Sequence, residues 1–185
     1  MPIHYDYIKH FLGLKEGFEA SGYVPCSKGV PLGESGVTIG KGVDLGQQTP
    51  CGLLAMGVTP DIVEKLRPYF GAKKMAAVNL LKERPLKLSV EEATFLSNKV
   101  SDSYIHATEK RFDKYAGMRG AFQNAPQQIQ AVAVSLEYQR GPAWAKPFLN
   151  ALANDAVATC ATMLDCETEY ATRRKSEARL LREVL

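Results

Sequence analysis

Between Gly22 and Gly52 the chain holds eight of its 15 glycines and three of its 10 prolines, interleaved with short Val/Ile/Leu alternations. Glycine and proline at this density break helices, so the stretch is predicted to be turns and short strands. Beyond it the apolar residues recur at helical spacing to the end. The expected fold class is therefore α+β and mostly helical: a short helix, a small N-terminal β-sheet subdomain, then a larger helical lobe. Residues 1–185 read as a single domain, with about 17–52 forming the β-rich lobe and about 1–16 and 53–185 the helical lobe. A cleft between the two lobes is the natural place for a ligand.

Composition narrows the function classes. At 185 residues the chain is long enough to bury roughly 70% of its unfolded surface without staples. Lys and Arg number 23 against 20 Asp and Glu, a net charge of +3, too balanced for a nucleic-acid binder. No stretch approaches the ~20 apolar residues of a membrane span. Met1 to Asp6 has neither a basic nor an apolar stretch, so no conventional secretory signal is expected. Cys26, Cys51, Cys160 and Cys166 are too few for a disulfide scaffold, although Cys26 and Cys51 flank one loop-rich region and would be able to pair in an oxidising compartment. With no histidine beside any of them, no metal is expected.

Punctuation signals place the elements. A first helix over Tyr5 to about Lys15, with Ile8, Phe11 and Leu12 inward, is predicted to stop near Glu16, before Gly17. Thr59-Pro60-Asp61 is a helix start with Thr59 as cap. Ser89-Val90-Glu91-Glu92 is a capping box opening a helix towards Tyr115. Pro126 opens another helix with Ile129, Val132, Ala133 and Leu136 on one face, ending at Gly141-Pro142. Two last helices are predicted over Trp144–Leu164 and Glu167–Leu185.

Chemistry enters where Val37-Thr38-Ile39-Gly40-Lys41-Gly42-Val43-Asp44-Leu45 meets Glu16. Gly40-Lys41-Gly42 suits a tight turn, because glycine accepts the positive φ of hairpins. Folding there brings the Thr38 hydroxyl to the Asp44 carboxylate, and bare Gly40 and Gly42 would admit a bulky substrate. Alone, this is an ordinary hairpin with an exposed Asp. Glu16 sits at the predicted C-terminal end of a helix, where the dipole disfavours a carboxylate and holds its proton to higher pH. Alone, it is an ordinary exposed Glu. Together they supply the two roles of glycoside hydrolysis: an acid for the leaving oxygen, and a carboxylate ~6.5–9.5 Å away that holds water on the opposite face.

The stretch Leu14-Lys15-Glu16-Gly17, followed by Gly36-Val37-Thr38-Ile39-Gly40-Lys41-Gly42-Val43-Asp44-Leu45-Gly46, resembles the phage-type lysozyme superfamily, with its "E-G" after the first helix and its "T-I-G-x-G" hairpin. The pesticin-like muramidase branch, which places its catalytic Asp just after the hairpin, is nearest. Ser135-Leu136-Glu137-Tyr138-Gln139-Arg140-Gly141 is similar to the family's "Y-N-R-G" cleft segment, with Gln139 for the usual Asn and Glu137 where an apolar residue is expected. Tyr170-Ala171-Thr172-Arg173-Arg174-Lys175-Ser176-Glu177 is similar to its terminal "R-R-x-x-E".

The resemblance implies a lysozyme-like fold and cleavage of the β-1,4 bond between N-acetylmuramic acid and N-acetylglucosamine in peptidoglycan. Glu16 would be the general acid, with Thr38 and Asp44 holding the attacking water in an inverting geometry. Gly40, Gly42, Tyr138, Gln139 and Arg140 would contact the glycan strand. The resemblance also implies an arginine beside the acid, Arg174 or Arg173. Tyr170, Arg174, Ala178 and Leu181 follow steps of four, four and three, so periodicity puts Arg174 inward. Arg173, between Glu169 and Glu177 at four-residue spacing, reads as a solvated ion-pair face. Trp144 reads as a core residue more readily than a sugar-stacking one.

No cofactor is implied. Scattered His4, His10 and His106 argue against a metallo-amidase or cysteine peptidase. An inactive peptidoglycan-binding domain and a lytic transglycosylase, which needs no Asp44, are the alternatives. Such an enzyme is expected to be made in the cytoplasm and to act in the periplasm or cell wall of a host or target bacterium. It would be a phage endolysin, or an antibacterial effector toxin carried by a secretion machine and blocked by a periplasmic immunity protein. The pesticin-like character favours the effector.

Overall fold

A computed structural model describes residues 2–185, and the side chains of all of these except Lys15 and Glu16. Helix α1 spans Tyr5–Glu16 and ends at Gly17, as its sequence predicts. Five short strands follow: β1 Glu19–Tyr23, β2 Cys26–Ser27, β3 Val30–Pro31, β4 Thr38–Gly40 and β5 Val43–Asp44. β1, β4 and β5 form an antiparallel sheet in the order β1-β4-β5, and β2 pairs with β3 in a separate hairpin. The remainder is helical, so the expected α+β, mostly helical architecture is what the chain adopts. No helix among the described residues is long and apolar enough to cross a membrane.

Two compact units divide the chain. One comprises Met1–Lys15 with Asp102–Leu185, the other Glu16–Ser101. The second unit runs far past residue 52, where the β-rich lobe was expected to end. It adds α2 (Pro50–Ala55), α3 (Pro60–Leu66), a 3₁₀ turn over Arg67–Tyr69, α4 (Lys74–Glu83) and the first half of α5 (Val90–Ala116). A sheet this small cannot bury both faces by itself. Val37, Ile39, Val43 and Leu45 are buried, as are Leu53, Val63, Leu66, Leu88 and Leu96 from the unit's helices and connections.

The other unit has its own core, in which Ile8 and Leu12 of α1 join Ile105, Phe112, Phe122, Val132, Leu136, Leu149, Leu164 and Leu181. Its elements are α1, the rest of α5, α6 (Ala121–Asn124), α7 (Gln127–Ala153), α8 (Val157–Cys166) and α9 (Ala171–Arg182).

Several boundaries differ from expectation for local reasons. Gly141, at φ 79° and ψ 166°, divides α7 into two helices, so the helix opened by Pro126 does stop at Gly141-Pro142 and a second begins there. The single helix expected over Trp144–Leu164 is two, because the chain leaves helical geometry around Asp155, at φ 59°. Thr59 precedes α3 without a side-chain cap, whereas Thr49 caps α2 by accepting from the Gly52 N–H at 3.0 Å. The capping box is as predicted: Ser89 N–H donates to Glu92 at 3.0 Å and Glu92 N–H to the Ser89 hydroxyl at 3.1 Å. All four cysteines are free, Cys160 buried and the others exposed.

Candidate functional site

The β4–β5 hairpin turns at Gly40-Lys41-Gly42, with φ +64° at Gly40 and +73° at Gly42. Thr38 lies opposite Asp44 and Ile39 opposite Val43. This is the register the turn residues require, and it sets the hydroxyl and the carboxylate on facing positions of two strands.

Asp44 is held by backbone. Its Oδ1 accepts the N–H of Gly46 at 2.8 Å and of Gly36 at 3.1 Å. The Thr38 hydroxyl donates to the Gly36 carbonyl at 3.3 Å, so Gly36 touches both candidate residues. A Cβ built at Gly36 would lie 2.6 Å from Asp44 Oδ1, from Ala72 O and from Gly46 Cα. Only glycine fits that approach. Gly36 opens the hairpin motif, but no local pattern announces its approach to Ala72.

Gly40 has a packing role where substrate access was expected. It is buried, and a Cβ there would meet the Ser97 hydroxyl of α5 at 2.2 Å. Ser97 Oγ accepts from Lys41 N–H at 2.9 Å and donates to Ala93 O at 2.7 Å, tying the hairpin turn to the helix. Gly42 is half-buried. Glu16 is the last residue of α1 and opens the unit that contains Thr38 and Asp44; its side chain lies outside the described residues.

A second constellation belongs to the other unit. Arg174 of α9 is inward, as periodicity predicted, with 1% of its surface exposed. Its Nη1 lies 2.7 Å from Glu177 Oε2, a charge contact without hydrogen-bond alignment, and its Nη2 donates to the Gln139 side-chain oxygen. Its guanidinium also stacks 5.1 Å from the Trp144 ring centre. Arg173 departs from expectation. Its side chain is only 11% exposed, and it turns from Glu169 to Glu177 Oε1 at 3.3 Å and the Ser135 hydroxyl at 3.0 Å. Glu169 instead pairs with Arg140, which lies 5.1 Å from the Trp144 ring and 5.8 Å from Tyr170. Tyr170, expected on the buried stripe, precedes α9 with 58% exposure.

Glu177 is the centre of this cluster. The Ser135 hydroxyl donates to it at 2.6 Å. Burial pushes its carboxyl above the usual carboxylate range, opposed by Arg174, the Ser135 hydroxyl and Arg173. Burial likewise pulls the Arg174 guanidinium below its usual value. Glu177 stands three and four residues after the two arginines, a spacing visible in the sequence. Ser135 opens the segment similar to the cleft motif, but nothing in the sequence points from it to Glu177. Tyr138 packs against Tyr104 with ring centres 4.8 Å apart. Thus the expected site residues fall into two sets: Thr38 with Asp44, and Gln139 and Arg140 with Arg173 and Arg174, the last joined to Arg140 by the Trp144 ring.

A family match covers residues 6–156, to pesticin, described as the C-terminal part of a bacterial toxin homologue of phage lysozyme. The chain belongs to the pesticin family. The span matched includes Glu16, the whole hairpin and the Tyr138-Gln139-Arg140 strip, while the Arg173–Glu177 segment lies beyond it. No curated protein matches the chain. Membership of the pesticin family, homologues of phage lysozyme, implies a lysozyme-type protein whose substrate is peptidoglycan.

Proposed function

We propose that the protein is an N-acetylmuramidase that hydrolyses the β-1,4 bond between N-acetylmuramic acid and N-acetylglucosamine in peptidoglycan, with inversion. The observation that carries this reading is the Thr38–Asp44 pair on the hairpin of a pesticin-family chain. The Thr38 proton is engaged with Gly36 O, so its lone pairs are left to accept from water. Asp44 is anchored through Oδ1, and no partner for Oδ2 is present among the described residues. Two acceptors on facing strands suit a water whose hydrogens point at them and whose lone pair is free for attack at the anomeric carbon.

In this mechanism Glu16 protonates the departing glycosidic oxygen, and Asp44 takes the proton of the attacking water. Protonation makes the leaving group a neutral alcohol. Removal of the water proton supplies hydroxide character on the opposite face of the sugar. Arg174 is proposed as the supporting cation, and Tyr138, Gln139 and Arg140 as glycan contacts. The biological role we infer is that of an antibacterial toxin acting in the periplasm or cell wall of another bacterium, delivered by a secretion carrier and neutralised by an immunity protein. Release as a phage endolysin is the other route to the same substrate.

The test is digestion of purified sacculi by the wild type, Glu16→Gln and Asp44→Asn, with the soluble muropeptides identified. Wild type is expected to release reducing-end products. Both variants should remain folded and lose about three orders of magnitude of activity. Anhydro-sugar products would assign a lytic transglycosylase instead, and no release by wild type an inactive glycan-binding domain.

A further inference from the structure

The side chain of Gln139 is oriented by chemistry that admits one solution. A guanidinium carries only donors, so the group Arg174 meets on Gln139 must be Oε1 and not Nε2. Arg174 has no freedom to turn away. It is 1% exposed, its other nitrogen faces Glu177 at 2.7 Å, and its plane lies over Trp144. Glu177 is itself fixed by the Ser135 hydroxyl at 2.6 Å and by Arg173 at 3.3 Å. The chain Ser135–Glu177–Arg174–Gln139 thus locks a half-buried amide, and no partner for Gln139 Nε2 is present among the described residues.

A locked amide with its oxygen occupied is a pure donor. Hydroxyls donate as well as accept, so a pure donor is best matched by a group that only accepts. On an N-acetylated amino sugar the ring and bridging ether oxygens accept only weakly, and the strong acceptor that never donates is the acetamido carbonyl. A carboxylate on the ligand would call for a free cation beside it, and the adjacent Arg140 is already paired with Glu169.

Resting on the muramidase reading, we propose that Gln139 selects an acetamido carbonyl of the glycan through its Nε2 donors, and that Arg174 and Glu177 are positioning residues that hold it in that sense. Fixing the amide before binding removes the rotamer entropy that a free Gln would lose on contact. A ligand lacking the acetyl group leaves the donors unmatched, which is how a built hydrogen-bond site rejects a close analogue.

The experiment uses the full-length Glu16→Gln protein, so that binding is read without turnover, and N-acetylglucosamine oligomers as the probe in titration calorimetry. Adding Gln139→Glu keeps an acceptor for Arg174 and deletes the donors. The expected result is an unchanged or raised Tm and about tenfold weaker binding, the loss of one well-made hydrogen bond with its acceptor left unmatched. Binding within about twofold of the parent overturns the proposal.

The positioning role is read by NMR, from the Nε2 hydrogens of Gln139 in the free protein. They should resonate as a fixed, dispersed pair that collapses to freely rotating values in Arg174→Lys, which keeps the charge but loses the fork. An unaltered pair in that variant overturns the positioning role. Wild type that releases no muropeptides overturns the muramidase reading. An active wild type whose Gln139→Glu counterpart binds as tightly overturns this inference alone.

Discussion

Arg111 grips Glu137 with two prongs, Nε to Oε1 at 2.6 Å and Nη2 to Oε2 at 2.5 Å, while the Glu137 side chain is 1% exposed. Thr108 adds its hydroxyl at 2.7 Å, and the Glu137 carboxylate raises the Arg111 guanidinium above its usual value. This explains an acidic residue at a position where an apolar one was expected. The carboxylate is buried with a cation and a hydroxyl supplied by α5.

Removing the cation alone should therefore be costly. Arg111→Ala leaves a buried, uncompensated carboxylate, and an unfolding free energy lower by about 3 kcal/mol is expected. Pairing Arg111→Met with Glu137→Leu should recover most of that loss, because apolar replacements of similar volume remove the desolvation cost as well. Urea denaturation of Arg111→Ala, of Arg111→Met and Glu137→Leu singly, and of the double variant checks both statements. Additive losses in the double variant would contradict them.

Gly36→Ala tests the anchoring of Asp44. The new methyl meets backbone and carboxylate atoms at 2.6 Å, so either the hairpin or the loop at Ala72 must move. Overpacking of this kind costs about 1–3 kcal/mol. Sacculus digestion should fall with it, because the Gly36 N–H that orients Asp44 is displaced.

Cys160 makes stability pH-dependent in the alkaline range. Burial pushes its thiol up to about 12, from 9.0. Above pH 9 the unfolded chain gives up this proton while the folded chain keeps it, so stability falls as pH rises towards 12. The slope from this group approaches about 1.4 kcal/mol per pH unit, and Cys160→Ala should remove that component in denaturation curves between pH 9 and 11. In the native protein a thiol reagent should label the exposed Cys26, Cys51 and Cys166 and reach Cys160 only on unfolding.

Ser89→Ala deletes half of the capping box that starts α5. A loss of about 1 kcal/mol is expected. Ser89→Gly should cost only a few tenths, since glycine suits the cap position and water can reach the freed N–H. Thermal unfolding of the pair measures the difference.

Local chemistry made much of this molecule legible in its sequence. Gly40 and Gly42 dictated the hairpin and hence the pairing of Thr38 with Asp44. Ser89 and Glu92 announced the start of α5, and steps of four and three turned Arg174 inward. Each signal acts over a few residues, through backbone angles or helix periodicity, and needs no distant partner.

Other features were decided only when remote segments met. Gly40 faces Ser97, Gly36 faces Ala72, Glu137 finds Arg111, and Arg173 exchanges a solvated face for Glu177 and Ser135. Burial settles these choices, because a polar group taken out of water must find a partner wherever the fold brings one. Spacing along the chain holds no record of which partner that will be.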